Sequence, residues 1–274
     1  MHCKHLAILI LPAIFFFGSC KEKVPESKKH FLLANDYLFQ DDLTNAKKEY
    51  EIAINIDTAN WEACYELAGV YELEGDYKNA YYYFDKTLKL NPSFALGYYN
   101  KANLEGLIGD EKGSMRDMKA AIAGKKDFFS ALLSKGRMEY TKGNFKQAIS
   151  DLSDAINIRP DFYFAYSMRG TCKFKSGDIP GAISDFNHEI QLMPGRIMGY
   201  LNRGLAYAEQ KDYRNAINDM NTALQIDPLF SQAYIYRGMF YIRNNVKDSA
   251  SGDFRMAYKL KNPDAEGYSK QYCK

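Results

Sequence analysis

Histidine and cysteine chemistry is scarce in this sequence. It has four histidines, of which His30 and His188 lie far apart and the other two are near the N-terminus. No pair has metal-ligand spacing, and the five cysteines include no CxxC motif. We expect Cys64, Cys172 and Cys273 to be small buried side chains. The GxSxG, P-loop and GxGxxG motifs are also absent. These absences predict a protein that is not an enzyme and that uses no metal and no cofactor.

An excess of charge of one sign is missing as well. The formal net charge is +2, from 36 basic and 34 acidic residues. Surfaces that bind nucleic acid need a net or clustered basic excess, so no nucleic-acid partner is expected. Tryptophan occurs once, against 22 tyrosines and 17 phenylalanines. Aromatic side chains fill cores first and interfaces second, and 46% hydrophobic residues suffice for a sizeable core.

Long apolar runs are missing except for one at the N-terminus. It covers residues 6–17 and follows Lys4. A helix of this length is too short to span a bilayer, which takes roughly 20 residues. The small residues Gly18 and Ser19 then precede Cys20. This order of basic start, short apolar core and small residues before a cysteine resembles a bacterial lipoprotein signal with its lipobox.

The resemblance implies that residues 1–19 are a signal peptide and that Cys20 is the palmitate-bearing first residue of the mature chain. Residues 20–26 would then form a lipidated tether. Phe17 stands where the lipobox usually has leucine, and the alternative is a plain secretory signal with a chance cysteine. Lys21 follows the cysteine, whereas aspartate at that place is the family's signal for inner-membrane retention. The resemblance therefore implies anchoring in the outer membrane, on its periplasmic or surface face.

The body of the chain repeats itself every 34 residues. A turn pair recurs at that period: Gly75-Asp76, Gly109-Asp110, Gly143-Asn144, Gly177-Asp178 and Lys211-Asp212. One small residue recurs in the segment before each turn: Ala34, Ala68, Ala102, Gly136, Gly170, Gly204 and Gly238. Another recurs after it: Ala46, Ala80, Ser114, Ala148, Ala182, Ala216 and Ala250. Each unit is predicted to be two amphipathic helices that meet closely at these small residues, with the glycine ending the first helix.

Prolines and aromatic residues recur in the same register: Pro92, Pro160, Pro194 and Pro228, and Tyr98, Tyr166, Tyr200 and Tyr234. Together with the small residues they resemble the tetratricopeptide repeat family, and the resemblance covers residues 27–264. It implies an all-α, right-handed solenoid of seven helical hairpins. The expected units are 27–60, 61–94, 95–128, 129–162, 163–196, 197–230 and 231–264. The polar tail 265–274 is expected to form a short capping helix, because the last unit of a solenoid needs a solvated outer face.

Units three to seven also carry a base and an acid sixteen residues apart. The bases are Lys101, Lys135, Arg169, Arg203 and Arg237, and the acids are Asp117, Asp151, Asp185, Asp219 and Asp253. Residues at this separation lie level in an antiparallel hairpin, which predicts a charge ladder along the stack. The pairs could form within a unit or across to the next one, and the alternative is two independent solvated positions.

The family resemblance also indicates a binding groove along the first helices. The family's peptide-contacting positions fall here on Phe31, Asn35, Tyr65, Tyr99, Asn103, Leu133, Arg137, Tyr140, Phe164, Phe174, Leu201, Ile235 and Met239. The lysine of the family's carboxylate clamp is missing from the fifth position of every unit. An aromatic and aliphatic groove suits an apolar peptide or protein segment. The alternative is that these side chains pack against one another.

Two functions follow from the layout. The first is a lipid-anchored envelope adaptor that binds another protein or peptide in its groove. The second is a surface lipoprotein that captures a glycan or nutrient beside an outer-membrane transporter. Proteins of the second class usually insert long sugar-binding segments among their repeats, and none are evident here, so the adaptor is preferred.

Overall fold

The computed structural model describes residues 24–272, and every regular element in that range is a helix. The predicted signal peptide, Cys20 and Cys273 lie outside the described residues. The helices are α1 (Glu26–Phe39), α2 (Leu43–Ile56), α3 (Trp61–Leu73), α4 (Tyr77–Leu90), α5 (Ala95–Leu107), α6 (Glu111–Gly124), α7 (Phe129–Thr141), α8 (Phe145–Ile158), α9 (Tyr163–Lys175), α10 (Ile179–Leu192), α11 (Ile197–Glu209), α12 (Tyr213–Ile226), α13 (Ser231–Arg243), α14 (Lys247–Lys259) and α15 (Ala265–Tyr272). The prediction of fourteen repeat helices and a short final one is confirmed.

The hairpin turns lie where the repeated glycines predicted them. Gly75 has φ of 77°, a left-handed conformation that glycine adopts without steric cost, and Lys211 adopts it with φ of 63°. The aspartate that follows caps the next helix: the Asp76 side chain accepts a hydrogen bond from the backbone N–H of Asn79 at 3.1 Å. The same cap forms at Asp42, Asp110, Asp178 and Asp212. One dipeptide therefore ends one helix and begins the next.

The core is assembled unit by unit around one bulky side chain of each second helix. The residues at this register are Tyr50, Phe84, Met118, Leu152, Phe186, Met220 and Phe254, and all are buried. The small residue of the first helix makes room for them. A Cβ added to Gly238 would lie 2.7 Å from Cε1 of Phe254, closer than real contacts allow. At this position the side chain of the second helix therefore packs directly against the backbone of the first helix.

Each helix packs chiefly against its neighbours in the chain, so the hairpins stack in sequence. First helices also contact one another across units, α7 with α9 and α9 with α11. Side chains on the free face of the first helices are thereby brought onto a common surface.

The predicted charge ladder is present, and its pairs form within units. Arg203 binds Asp219 with two parallel hydrogen bonds of 2.6 and 3.0 Å. Equivalent bidentate pairs join Arg169 to Asp185 and Arg237 to Asp253. Lys101 lies 3.2 Å from Asp117 of its own unit and 2.5 Å from Asp85 of the preceding unit, and Lys135 lies 2.5 Å from Asp151.

The three arginines also reach back to the preceding unit. Arg203 donates a hydrogen bond of 2.7 Å to the side chain of Asn187, which lies sixteen residues before it. Arg169 and Arg237 do the same with Ser153 and Asn221. One guanidinium thus joins three helices of two units.

We expect Arg203→Met to lower the free energy of unfolding by about 3–5 kcal/mol, because it leaves Asp219 buried without its cation. Urea unfolding followed by circular dichroism measures this. The exposed Arg214 of α12 is the matched control, and Arg214→Met should change stability by less than about 0.5 kcal/mol. The double variant Arg203→Met, Asp219→Leu should regain most of the loss. A loss in Arg203→Met no larger than in the control would contradict the role given to the ladder.

Glu105 lies beside the first pair of the ladder and is fully buried. Its Oε1 accepts a hydrogen bond of 3.1 Å from Arg116, and its Oε2 has no hydrogen-bond partner. Burial, and then the charge of Asp117, raise the pKa of Glu105 to about 6.

Folding therefore disfavours the ionised form of Glu105. The cost is absent below the ordinary glutamate pKa of 4.5 and complete above about 6. Between those values the protein should lose about 2 kcal/mol of stability that Glu105→Gln does not lose. Free energies of unfolding of both proteins, compared at about pH 4 and at pH 7, test this. The exposed Glu111→Gln serves as control. A difference between Glu105→Gln and the parent that is the same at both pH values would refute it.

Candidate protein-binding groove

A concave cavity of about 260 Å³ opens between three consecutive first helices, α5, α7 and α9. Its lining residues are Tyr99, Asn103, Leu133, Ser134, Arg137, Phe164 and Met168. Five of them belong to the predicted groove, one or two from each of units three, four and five. We call this cavity the central groove. The contact positions implied by the family resemblance had predicted that these five side chains share one surface.

Aromatic contacts hold the walls of the central groove in place. The ring of Tyr99 packs against Phe128 with centroids 5.0 Å apart, and Phe164 lies edge-on to Phe162 at 6.3 Å. Leu133 packs against the adjoining core clusters. Rigid apolar walls of this kind bind an apolar side chain without a large ordering cost.

Arg137 gives the central groove a charge. It is exposed, and within residues 24–272 its side chain has no hydrogen bond or ion pair. The ladder arginines, by contrast, are held by the chain's own aspartates. An unpaired guanidinium beside apolar walls offers bidentate donors to a carboxylate. Asn103, also exposed, adds an amide that can donate and accept.

Three predicted groove residues are instead core residues. Phe31 is 9% exposed, Leu201 is 6% exposed and Ile235 is 2% exposed. They occupy the fifth position of their units and turn into the seam between helices, whereas Leu133 at the same position stays half-buried and lines the central groove. The tyrosines at the same register, Tyr65 and Tyr99, remain half-buried.

The remaining predicted residues lie outside the central groove and already have intramolecular contacts. Asn35 accepts a hydrogen bond of 2.5 Å from the Tyr50 hydroxyl, and the Asn100 amide donates one of 2.7 Å to Tyr65. Half-buried apolar side chains at the other positions pack on the cores of their units; they are Tyr140, Phe174 and Met239. Of the predicted residues, only Tyr99, Asn103, Leu133, Arg137 and Phe164 therefore line the central groove.

Two residues that line the central groove, Ser134 and Met168, were not predicted from the sequence. Both fall on the sixth position of their units, which the family's contact positions do not include. Met168 follows Phe164 by four residues, so helical spacing alone places both on one face. The four-residue spacing from Phe164 could therefore have predicted that Met168 faces the groove.

Other candidate sites are sparse in the described part of the chain. Among residues 24–272, no group of three or more His, Cys, Asp or Glu side chains could hold a metal ion. No helix in that range has the length and apolar character needed to cross a membrane. Cys64 and Cys172 are fully buried free thiols. A more open depression near the C-terminal cap, beside Tyr258 and Pro263, contains no predicted residue.

Comparisons with known proteins agree with this architecture. The tetratricopeptide repeat family model matches residues 61–94 and 198–230. No curated protein sequence is significantly similar to the chain. Among solved structures, the C-terminal part of a tetratricopeptide repeat-containing protein from Cytophaga hutchinsonii superimposes with a TM-score of 0.72 at 18% identity, covering 86% of this chain and 98% of that one.

Two further structures show the same fold. A tetratricopeptide repeat protein from Parabacteroides merdae has a TM-score of 0.59 at 17% identity, covering 91% of this chain and 99% of its own. YrrB, described as a tetratricopeptide protein with an unusual peptide-binding site, has a TM-score of 0.62 at 21% identity, covering 67% of this chain and 95% of its own. The chain therefore has the fold of these helical-hairpin solenoids, and two of its units match the tetratricopeptide repeat family model.

Proposed function

We propose that this protein is a lipid-anchored adaptor of the bacterial envelope that holds a segment of another protein in the central groove. The observation that carries the proposal is the groove itself: apolar walls from three first helices converge around the unpaired Arg137. An apolar or aromatic segment that also bears a carboxylate fits both features. The peptide-binding site ascribed to YrrB is consistent with such a role.

The anchoring half of the proposal rests on the sequence before α1. A lipid on Cys20 would be separated from Glu26 by six residue steps, which reach about 20 Å at most when extended. The solenoid would then lie close to the membrane, in position to hold its partner there.

No observation favours glycan capture. The helices of the seven described hairpins are all 13 or 14 residues long and follow one another without an inserted segment. A sugar-binding insertion of the kind that accompanies such lipoproteins has no place within them.

The groove is tested by affinity capture from membrane extracts, followed by mass spectrometry. We expect Phe164→Ser with Arg137→Ser to lose the proteins that the parent retains, because it removes an apolar wall and the cation together. Leu229 is 69% exposed in a turn away from the groove, so Leu229→Ser should retain the parental set. Circular dichroism verifies that both variants fold. Retention of the same proteins by the groove variant would refute the proposed site.

The anchor is tested by Cys20→Ala. Two acyl signals hold a protein stably on a membrane where one does not, so loss of the lipidated cysteine should release the protein. Fractionation should move the variant from the membranes to the soluble periplasmic fraction, while Cys64→Ala stays with the membranes. If Cys20→Ala sediments with membranes as the parent does, the apolar N-terminal run is itself the anchor and the lipoprotein assignment is wrong.

A further inference from the structure

A row of large apolar side chains is exposed at one edge of the solenoid, away from the central groove. Phe39, Leu73 and Leu107 end the first helices of units one, two and three, at intervals of 34 residues. Their exposed fractions are 84%, 57% and 61%, and Ile108 beside the last is 48% exposed. We call these four residues the turn stripe. Single exposed apolar residues are ordinary, but a row at one register forms a continuous surface.

The fold does not require this stripe. The residues at the same register in units four to seven are Thr141, Lys175, Glu209 and Arg243, all exposed. These hairpins have the same helix lengths and the same turn as the first three. Apolar residues at this position are therefore a property of units one to three alone.

The turns beside the stripe are acidic. The seven residues that begin at Phe39, Leu73 and Leu107 have net charges of −2, −1 and −1. The equivalent segments of units four to seven have net charges of +2, 0, 0 and +1. Asp41 and Glu111 are exposed, and their carboxylates make no hydrogen bond or ion pair within residues 24–272.

The capping aspartates stay ionised next to the stripe. Hydrogen bonds from Asn45 lower the pKa of Asp42, and those from Asn79 lower the pKa of Asp76. Their negative charge is thus present at neutral pH and in mild acid. One cation near the stripe, Lys47, is already in an ion pair with Glu74 at 2.7 Å.

That same ion pair shows that the turns of units one and two adjoin. Lys47 is the fifth residue of α2, and Glu74 is the C-cap of α3 next to Leu73. Packed helices are spaced about 8–10 Å apart, so neighbouring members of the stripe lie on the order of 10 Å apart. Two turns of an α-helix rise about 11 Å. A helix laid along the stripe would therefore present an apolar side chain to each unit at every seventh residue.

We propose that the turn stripe is a docking surface for a cationic amphipathic helix of a partner protein, with apolar residues every seven positions and Lys or Arg on its flanks. An anionic lipid surface is disfavoured because the acidic turns would be repelled by it. A second copy of this chain is disfavoured too, since its two net-basic turns, in units four and seven, lack the apolar row. This surface is independent of the central groove.

The probe is a synthetic helical peptide with leucine at every seventh position and lysine on its flanks, labelled for fluorescence anisotropy. It is titrated with the full protein held in lipid nanodiscs, with empty nanodiscs as blank. The test variant is Phe39→Thr, Leu73→Thr, Leu107→Thr, which installs the residue that unit four has naturally. Leu229→Thr, at an equally exposed leucine outside the stripe, is the matched control.

We expect the triple variant to bind the peptide at least about tenfold more weakly than the parent, and Leu229→Thr to bind as the parent does. A peptide with glutamate in place of lysine should bind as weakly to the parent as the lysine peptide binds to the triple variant. The groove variant Phe164→Ser, Arg137→Ser should keep full affinity, which separates this surface from the proposed groove. Parental affinity in the triple variant, or equal binding of the two peptides, overturns the proposal.

Two measurements on the same variants decide between occupants. In sedimentation velocity, a dimer of the parent that the triple variant does not form would assign the stripe to self-association. Flotation with phosphatidylglycerol vesicles that the triple variant fails to bind would assign it to the membrane. Either result overturns docking of a partner helix, and equal behaviour of both proteins supports it.

Discussion

Close contact between the two helices of each hairpin is the constraint from which the architecture follows. A helix of 13 or 14 residues cannot bury its apolar face alone. Each first helix therefore keeps one residue small enough for a bulky side chain of the second helix to fill the space above it, as Gly238 does for Phe254. Once that contact is fixed at one register, the hairpin angle is fixed, and the next hairpin has a single surface on which to stack. Both the period and the solenoid result from this one requirement.

The charge ladder adds specificity to a stack whose units are otherwise alike. Apolar contacts are non-directional and would tolerate a slipped unit. A bidentate Arg203–Asp219 pair with a third bond to Asn187 does not, because a shift of one residue would leave buried charges unpaired. The ladder is weakest between units three and four. Lys119 stands where the other units place an acceptor, and Lys135 makes both of its bonds to Asp151. The central groove lies across this same junction. Two of the units that form its walls are therefore joined without a hydrogen bond from a ladder base to the preceding unit.

The fold could be predicted from the sequence because its determinants are local and repeated. Turn glycines, small residues and buried bulky residues recur at one interval, and any unit can be checked against the other six. The candidate site was predictable only in part. Register placed Tyr99, Asn103, Leu133, Arg137 and Phe164 on one surface, and they do line one cavity. Register could not show that Phe31, Leu201 and Ile235 are covered, because burial depends on which neighbour fills the seam.

Interactions between residues that do not recur in every unit could not be predicted from the sequence either. The pairing of Lys47 with Glu74 depends on the relative placement of two hairpins, which spacing along one of them does not give. The choice between in-unit and cross-unit ladder pairs was open for the same reason, since both are level in an idealised hairpin. In the structure every ladder base pairs with the acid of its own unit. Lys101 and the three arginines also reach an acceptor in the preceding unit, whereas Lys135 finds Lys119 at that position.

The two proposed surfaces meet on α5 and select opposite charges. Tyr99 and Asn103 open into the central groove, whereas Leu107 at the end of the same helix belongs to the turn stripe. Tyr99 and Leu107 are eight residues apart, about 12 Å along the helix axis. Arg137 in the groove favours a carboxylate, while the acidic turns beside the stripe favour lysine or arginine. Since one charge pattern cannot satisfy both, the two proposals together require two chemically distinct partner segments bound at opposite ends of α5. Binding two different segments at once is what the proposed adaptor role requires.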